Sequence, residues 1–285
     1  MMNKIGLIAG SGRFPVLFAK EAKALGFSVI AIGIKGTTSP ELERYAHFNC
    51  FRLGQMSKPL EILKTAGVKK VVMAGGIPHF SIFGGILPDL RAAKFLMRLR
   101  DKRALSILGA LAEELALDGM ELVSSATFLE HLLPEPGLLA GPAPSPAVRK
   151  DISLGWKTAK ALSAQDVGLT VVVKDTAVVA VEAMEGTDAC ILRAGEIFNK
   201  SRLGSGQKPV FPGLTVVKVA RPGQDMRFDL PVIGTGTLAA MRNAGAGTMA
   251  VEARSTLILE REQFLREAGR EKITVIALLN DPVSE

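Results

Sequence analysis

The N-terminal half of the chain alternates short apolar segments with amphipathic ones, and this alternation constrains the fold more than any other feature. Strands are predicted at 5–9, 28–32, 71–74 and 121–124, and helices at 15–25, 58–66 and 104–117. Strands that alternate with helices in this way form a mostly parallel sheet with helices on both faces. We therefore predict an α/β fold.

A proline-rich segment separates the two halves of the chain. Residues 134–146 contain five prolines and two glycines, which is typical of a linker. We predict an N-terminal Rossmann-like domain at 1–133 and a C-terminal catalytic α/β domain with a mixed sheet at 147–285. In the second domain, Asp175 and Thr176 are predicted to form the turn of a β-hairpin.

The remaining elements predicted in the second half are less regular in spacing. Strands are predicted at 214–220, 249–251 and 274–277, and helices at 156–163, 237–244 and 261–268.

Cysteine, histidine and hydropathy patterns exclude several classes of protein. Cys50 and Cys190 lie in no CxxC context, and the three histidines are not at metal-ligand spacing. These patterns argue against a disulfide scaffold and a zinc site. The N-terminus is not typical of a signal peptide, and no apolar run reaches the ~20 residues of a spanning helix. A cytoplasmic protein is expected.

The net charge of +7 is concentrated in one segment. Residues 91–103 hold six basic residues and one acidic residue, and they follow an uncharged, glycine-rich stretch at 71–88. This pair of segments indicates an element that meets an anionic membrane surface. A buried loop followed by a solvated basic helix is the alternative. Nucleic acid is not expected, because the basic segment contains a single aromatic residue, Phe95.

Two glycine-containing loops at predicted strand ends are candidate phosphate sites. Helix N-termini attract anions, and ligands of open parallel sheets bind at the carboxyl ends of strands, so both loops are placed to face one crevice. NAD binding is disfavoured, because Pro15 occupies the place of the third glycine in the dinucleotide motif. Tight turns needed only for packing are the alternative. The candidate substrate-binding residues here are Gly10, Ser11, Gly12, Arg13, Gly75 and Gly76.

The segment 221–237 combines carboxylates, guanidinium groups and small residues. Asp225 and Asp229 lie beside Arg221 and Arg227. Carboxylates bind hard divalent cations, and arginines bind phosphate oxygens bidentately. The segment is therefore typical of a phosphate-and-metal site, although a surface strand and turn with solvated charges explains the same residues.

A second acidic cluster, at 182–193, is also explained either by a phosphate-and-metal site or by a solvated surface segment. Asp188 is either a metal ligand or phosphate-positioning group, or part of a solvated loop.

Three motifs of the second half occur in an order found in a known family. They are DVGLTVVV at 166–173, VEAMEGTDA at 181–189 and RPGQDMRFDLP at 221–231. With these motifs and the opening IAGSGRFP, the chain resembles the LpxI family of UDP-2,3-diacylglucosamine pyrophosphatases over its whole length.

The resemblance implies a soluble, magnesium-dependent hydrolase of lipid A biosynthesis, peripheral to the inner membrane. Such an enzyme splits UDP-2,3-diacylglucosamine into 2,3-diacylglucosamine 1-phosphate (lipid X) and UMP. Asp225 matches the essential aspartate of the family. We assign Asp225 and Asp188 as catalytic residues and Mg²⁺ ligands, and Arg227 as a catalytic phosphate clamp. Further candidate substrate-binding residues are Thr187, Gln224, Gly234 and Thr235.

The expected active site lies between the two domains, because interdomain clefts commonly hold ligands. Two other classes stay open: a non-catalytic lipid- or nucleotide-binding protein that uses the same interdomain cleft, and a nucleotide-dependent oxidoreductase. The sequence leaves the acyl-chain length and the formation of a homodimer undecided.

Overall fold

The computed structural model describes residues 3–76, 87–99, 104–202, 213–227 and 230–281. The chain divides into two compact units, both of the α/β class, as predicted. The first unit comprises Met1–Glu130 with Asp225–Asp229, and the second comprises His131–Gln224 with Leu230–Glu285.

The first unit contains a five-stranded parallel sheet. Its strands are β1 (Lys4–Ala9), β2 (Ser28–Ile34), β3 (His47–Phe51), β4 (Lys70–Ala74) and β5 (Glu121–Leu122), and its helices are α1 (Phe14–Ala24), α2 (Ser57–Thr65), α3 (Leu90–Arg98) and α4 (Ala104–Leu117). The strand order is β3-β2-β1-β4-β5, and every pair is parallel. The order therefore reverses between β1 and β4, which is the position where such sheets bind ligands.

Burial along β2 and β3 shows why one strand was predicted and the other was not. Residues 29–33 of β2 are all buried, as expected for a central parallel strand covered on both faces. The edge strand β3 is mostly exposed and has no apolar pattern to reveal it.

A single carboxylate fixes α3 beside α2. Asp89 precedes α3, and its Oδ1 accepts a hydrogen bond from the N–H of Ala92 (2.8 Å). Its Oδ2 accepts from the N–H groups of Met56 and Ser57 at the start of α2 (2.8 Å each). Asp89 thus caps two helices with one side chain.

The second unit contains a six-stranded mixed sheet, as predicted. Its strands are β6 (Gly137–Ala140), β7 (Thr170–Lys174), β8 (Ala177–Val181), β9 (Leu214–Lys218), β10 (Val232–Ile233), β11 (Ala246–Glu252), β12 (Leu257–Ile258) and β13 (Thr274–Leu278), and its helices are α5 (Pro146–Ala164), α6 (Thr187–Arg202), α7 (Thr235–Ala244) and α8 (Arg261–Arg270). The sheet order is β6-β13-β11-β9-β7-β8, while β10 and β12 form a separate pair. Strands β9, β11 and β13 are parallel, and β6, β7 and β8 make antiparallel pairs. No helix of the described ranges is both long and apolar enough to cross a membrane.

The predicted hairpin is confirmed, with Asp175 and Thr176 at the turn between β7 and β8. Both residues have positive φ angles, 50° and 58°, as a tight hairpin turn requires. Their N–H groups donate to the carboxylate of Asp151 (3.3 and 2.6 Å), which holds non-glycine residues in this conformation.

The proline-rich segment differs from the predicted linker. Residues 137–140 form β6, an edge strand that pairs with β13. The segment then ends at Ser145, whose Oγ accepts from the N–H of Val148 (3.3 Å), and Pro146 opens α5. Proline is tolerated at edge strands and at first helical positions, so the same composition suits this structure and a linker.

Candidate functional site

The two glycine loops of the first unit pack against each other between β1 and β4. The N–H of Gly10 donates to the carbonyl of Ala74 (2.8 Å), and the N–H of Ser11 donates to the carbonyl of Gly76 (2.7 Å). A Cβ atom on Gly10 or Gly75 would lie closer than 3.0 Å to backbone atoms of the facing loop. These glycines are therefore required for packing, and the N–H groups of Gly10 and Ser11 are engaged within the protein.

Gly12 and Arg13 are placed differently from their two neighbours. Gly12 has a φ of 87° and open space where a Cβ atom would be. Arg13 is the N-cap residue of α1, and its exposed guanidinium lies 2.8 Å from Oε2 of Glu41. Within this loop, Gly12 and Arg13 are the predicted residues that stay candidates for binding an anion.

The segment with Asp225 is attached to the first unit by a buried serine. Ser125 follows β5, and its N–H donates to the carbonyl of Met226 (2.8 Å). Its Oγ lies 2.8 Å from the carbonyl of Met73 in β4 and 2.9 Å from the carbonyl of Arg227. The predicted boundaries placed Asp225 in the C-terminal domain, whereas the structure assigns Asp225–Asp229 to the first unit.

Asp225 and Arg227 form an exposed ion pair at the carboxyl edge of the parallel sheet. The guanidinium donates to both carboxylate oxygens, at 3.0 Å from Nε and 2.6 Å from Nη2, and the N–H of Arg227 donates to Oδ1 (3.0 Å). These bonds from Arg227 hold the pKa of Asp225 below its ordinary value, although partial burial opposes them. The Asp225 side chain is 33% exposed and the Arg227 side chain 47%. Both charges are accessible to a ligand.

Arg221 and Gln224 build the turn before Asp225. The Arg221 guanidinium pairs with Asp166 in the second unit (2.6 Å), and both side chains are almost buried. Gln224 Oε1 accepts from the N–H of Arg221, and the N–H of Gln224 donates to the carbonyl of Arg221 (3.1 Å each). Arg221 therefore contributes to structure, whereas the sequence pattern had grouped it with Arg227 as a phosphate-binding arginine.

The second unit contains a buried polar cluster that sequence reasoning missed. Lys218 at the end of β9 donates from Nζ to Oγ1 of Thr187 (2.5 Å), and the Thr187 hydroxyl donates to Oε1 of Glu182 (2.9 Å). Lys218 is 5% exposed and Glu182 is 9% exposed. We call these three residues the Lys218 cluster. Its one signal in the sequence is a charged lysine that ends a fully buried strand pattern, LTVVK.

The Glu182 carboxyl of this cluster is ionised despite its burial. Burial alone would raise its pKa. The charge of Lys218, the hydroxyls of Thr170 and Thr187 and the N–H of Leu169 outweigh that effect, so the pKa lies below its ordinary value. The cluster thus contains two buried groups of opposite charge, each hydrogen-bonded to the same threonine hydroxyl.

The other predicted residues of the second unit lie where two helices start. Asp188 is in the first turn of α6, where a negative charge is favourable, and this helix replaces the solvated-loop alternative. A Cβ atom on Gly236, in the first turn of α7, would lie 3.4 Å from Oδ2 of Asp188. Gly234 is the N-cap residue of α7, and the Thr235 hydroxyl lies 3.1 Å from Oε2 of Glu260.

The two predicted metal ligands do not come together within one unit. Asp225 belongs to the first unit and Asp188 to the second. In the parts of the chain that the structure describes, no group of three His, Cys, Asp or Glu residues is placed to hold a metal ion.

Comparisons with known proteins identify the family of the chain. The LpxI N-terminal domain model matches residues 4–132, and the LpxI C-terminal domain model matches residues 135–276. UDP-2,3-diacylglucosamine pyrophosphatase LpxI from Caulobacter vibrioides is 29% identical over 272 residues, which cover 94% of each chain.

Two solved structures are similar only in part. The N5-carboxyaminoimidazole ribonucleotide synthetase of Thermotoga maritima has a TM-score of 0.24 and 17% identity, covering 75% of this chain and 45% of that one. The biotin carboxylase subunit of pyruvate carboxylase has a TM-score of 0.24 and 13% identity, covering 72% and 41%. This chain thus spans less than half the length of either protein, and such scores support no conclusion about fold. The two family models, by contrast, span nearly the whole sequence, and the chain belongs to the LpxI family.

Proposed function

We propose that the chain hydrolyses UDP-2,3-diacylglucosamine to 2,3-diacylglucosamine 1-phosphate and UMP, as a step of lipid A biosynthesis. The relative from Caulobacter vibrioides is named for this substrate, and its similarity extends over almost the whole chain. The observation that carries the proposal is the accessible pair of Asp225 and Arg227, which Ser125 holds at the carboxyl edge of a parallel sheet.

The residues of this pair match the demands of the reaction. A water oxygen bonds to one phosphorus, the bond from that phosphorus to the bridging oxygen breaks, and the bridging oxygen leaves with the other phosphate. Arg227 binds the non-bridging oxygens and stabilises their growing charge. Asp225, ionised at neutral pH, orients the water and accepts its proton. The substrate phosphate replaces part of the hydrogen bonding between the two side chains.

Magnesium fits the oxygen chemistry of Asp225, but the described residues offer no preformed cage for it. Mg²⁺ is usually held by one or two carboxylates together with substrate phosphates and water. Asp225 would supply one carboxylate, while Asp188, the other predicted ligand, belongs to the second unit. The ion would neutralise phosphate charge and acidify a bound water. We expect a chelator to stop turnover and Mg²⁺ to restore it.

Turnover separates the proposed hydrolase from the alternatives. The purified protein is incubated with UDP-2,3-diacylglucosamine in detergent micelles with Mg²⁺, and products are resolved by chromatography and mass. Equimolar UMP and 2,3-diacylglucosamine 1-phosphate, in excess over the protein, are expected. Substrate that binds but is recovered intact would instead favour the non-catalytic binding protein, and a fluorescence response to NADH would favour the oxidoreductase.

We further propose that α3 brings the protein to the anionic inner-membrane surface from the cytoplasm. Leu90 and Met97 of α3 are 75% and 85% exposed, and Leu87 just before the helix is exposed as well. Lys94 and Arg98 on the same helix are also exposed, so apolar and basic side chains are available together. A substrate with two acyl chains resides in such a surface.

Two basic residues of the predicted membrane segment pair with carboxylates at α4. Arg91 pairs with Glu114 (2.6 Å) and Asp118 (2.7 Å), so it stabilises the packing of α3 on α4. Arg98 lies 3.5 Å from Glu114, and its side chain stays 65% exposed. Arg100, Lys102 and Arg103, with residues 77–86 of the glycine-rich stretch, lie outside the described residues.

Sedimentation with phosphatidylglycerol vesicles tests the membrane proposal. The double variant Leu90→Ser/Met97→Ser is expected to lose binding at low salt. Leu25→Ser, which changes another exposed leucine of the first unit, is expected to retain it. Added salt should weaken binding of the wild type, because screening lengths fall to about 8 Å at physiological ionic strength. Equal binding by all three proteins would show that α3 does not bind the membrane.

A further inference from the structure

We infer that Phe128 is a positioning residue, which fixes Asp225 through Ser125. The inference deepens the proposed function and rests on it for the catalytic role of Asp225. Phe128 and Ser125 both belong to the turn at 124–129, which follows β5 and which we call the Ser125 turn. This turn and the segment Asp225–Asp229 lie in the same unit.

The first argument is the backbone conformation of Phe128. Its φ is 67°, in the left-handed region where a Cβ atom approaches the following carbonyl oxygen. Strain of this kind persists only where the surrounding structure fixes the residue, and it is frequent next to active sites. Glycine would adopt the same conformation without strain, so the phenyl ring at this position indicates that the side chain itself is needed.

The second argument is the attachment that the ring provides. The centroid of the Phe128 ring lies 5.8 Å from that of Phe18 in α1 and 4.7 Å from that of Phe27, which lies between α1 and β2. Aromatic pairs at such distances are favourable beyond the area that they bury. Phe18 is fully buried, so it is a fixed point of the first unit. The ring therefore attaches the Ser125 turn to α1.

The third argument is the hydrogen bonding within the turn. The N–H and Oγ1 of Thr127 donate to the carbonyl of Ser124 (3.1 and 2.6 Å), and these bonds close the chain around Ser125. The N–H of Leu129 donates to the carbonyl of Ala126 (2.7 Å), and this bond spans the strained residue. The two sets of bonds overlap, so a change at the strained residue is transmitted to the backbone of Ser125.

Ser125 passes this constraint on to the residues that follow Asp225. Its side chain is buried, its N–H donates to the carbonyl of Met226, and its Oγ lies 2.9 Å from the carbonyl of Arg227. The N–H of Arg227 in turn donates to Oδ1 of Asp225 (3.0 Å). A turn that loosens at Phe128 should therefore displace the carboxylate, and a displacement of about 1 Å is sufficient to slow catalysis strongly.

Phe27 provides a matched control for the ring of Phe128. Phe27→Ala and Phe128→Ala each remove one member of the same ring pair, and both side chains are partly buried. Both variants should lower the melting temperature, because both lose aromatic packing. Phe27 lies outside the Ser125 turn, so we expect only Phe128→Ala to change the Asp225 segment.

Amide hydrogen exchange of the full chain, followed by nuclear magnetic resonance, tests the inference without turnover. In Phe128→Ala the amide of Ser125 should exchange about tenfold faster than in the wild type, because its bond to the carbonyl of Met226 opens more often. Phe27→Ala should leave this rate near the wild-type value, and so should Phe128→Tyr, which keeps the ring. An unchanged rate in Phe128→Ala would overturn the positioning role.

Turnover of UDP-2,3-diacylglucosamine provides the second measurement. Phe128→Ala should lower kcat about tenfold and change KM by less than about twofold, because the reacting group is displaced while substrate contacts remain. Phe128 acts through Ser125, so Phe128→Ala/Ser125→Ala should have the kcat of Ser125→Ala alone. Losses that multiply in the double variant, or equal kcat values for Phe27→Ala and Phe128→Ala, would contradict the inference.

A further variant keeps the test valid if Phe128→Ala does not fold. Phe128→Leu retains apolar volume without the ring, and it should show the same changes in exchange and kcat to a smaller degree. A wild type that releases no UMP from the lipid nucleotide would overturn the proposed function. The exchange rates of the Ser125 amide would still decide whether Phe128 holds the turn.

Discussion

The two units hold their key carboxylates in opposite ways. In the first unit, Asp225 and Arg227 are exposed, and Ser125 fixes the backbone around them. In the second, Glu182 and Lys218 are buried, and Thr187 joins them. Exposed ion pairs contribute about 0–1 kcal/mol, so a ligand exchanges for them easily, whereas leaving one buried charge uncompensated costs about 3–5 kcal/mol. The difference suits Asp225 to chemistry and Glu182 to the structure of the second unit.

Replacing the exposed carboxylate should have the largest effect on activity. We expect Asp225→Asn to lower kcat about 10³-fold, because a group acting on developing charge is lost, while the protein stays folded. UMP release at saturating substrate measures this. Glu135→Gln is the matched control, since it breaks an exposed guanidinium–carboxylate pair with Arg254 of the same 2.6 Å length. An Asp225→Asn protein with more than a tenth of wild-type kcat would contradict a catalytic role.

Two glycine variants test the packing of the loops that follow β1 and β4. Gly12 and Gly75 have φ angles of 87° and 86°, but only at Gly75 would a Cβ atom meet backbone. Gly12→Ala should lower the free energy of unfolding by about 1 kcal/mol. Gly75→Ala should lower it by about 3 kcal/mol or more, because overpacking adds to the cost of the left-handed conformation. Equal urea midpoints for the two variants would show that the loops are not packed as described.

The serine that holds the Asp225 segment should affect both stability and activity. Ser125→Ala removes the hydroxyl that contacts the carbonyls of both Met73 and Arg227, which should destabilise the protein by about 1–3 kcal/mol. A small displacement of Asp225 should also lower kcat about tenfold. The neighbouring Ser124→Ala should leave kcat near wild type. If Ser125→Ala and Ser124→Ala have the same kcat, the anchor does not position Asp225.

The smallest expected effect is a difference between Glu182 and Asp225 in how much each stabilises the protein at acid pH. The pKa of Glu182 is lowered in the folded protein, so its contribution to stability is complete above the unfolded value of about 4.3 and is lost as pH falls through the folded value. The stability difference between wild type and Glu182→Gln should therefore shrink on acidification below pH 4.3. Thermal unfolding across pH 3–6 measures it. The stability difference between wild type and Asp225→Asn should change less over the same pH range, because solvent screens the charge of Asp225.

Local patterns were sufficient to predict much of the fold. The alternation of strands and helices and the hairpin turn at Asp175 follow from short stretches of sequence. The start of α6 was interpreted as a turn or loop, because Gly186 and neighbouring acidic residues suit both loops and helix starts. The edge strands β3 and β6 were missed because edges bury little and carry weak apolar patterns.

Long-range contacts account for what the sequence did not reveal about the site. Asp225 joins the first unit through Ser125, about one hundred residues earlier in the chain, and no local pattern marks that contact. Lys218 meets Thr187 31 residues away for the same reason. Residue types identified Asp225 and Arg227 as a candidate pair, but only the fold shows which unit holds them.

The most direct test of a catalytic role for Asp225 is the kcat of Asp225→Asn beside its UDP dissociation constant, the latter measured in chelator. Without metal, Asp225 repels phosphate, so Asp225→Asn should bind UDP as tightly as the wild type or more tightly, while its kcat falls about 10³-fold. Lost UDP affinity together with a wild-type kcat would contradict the catalytic role.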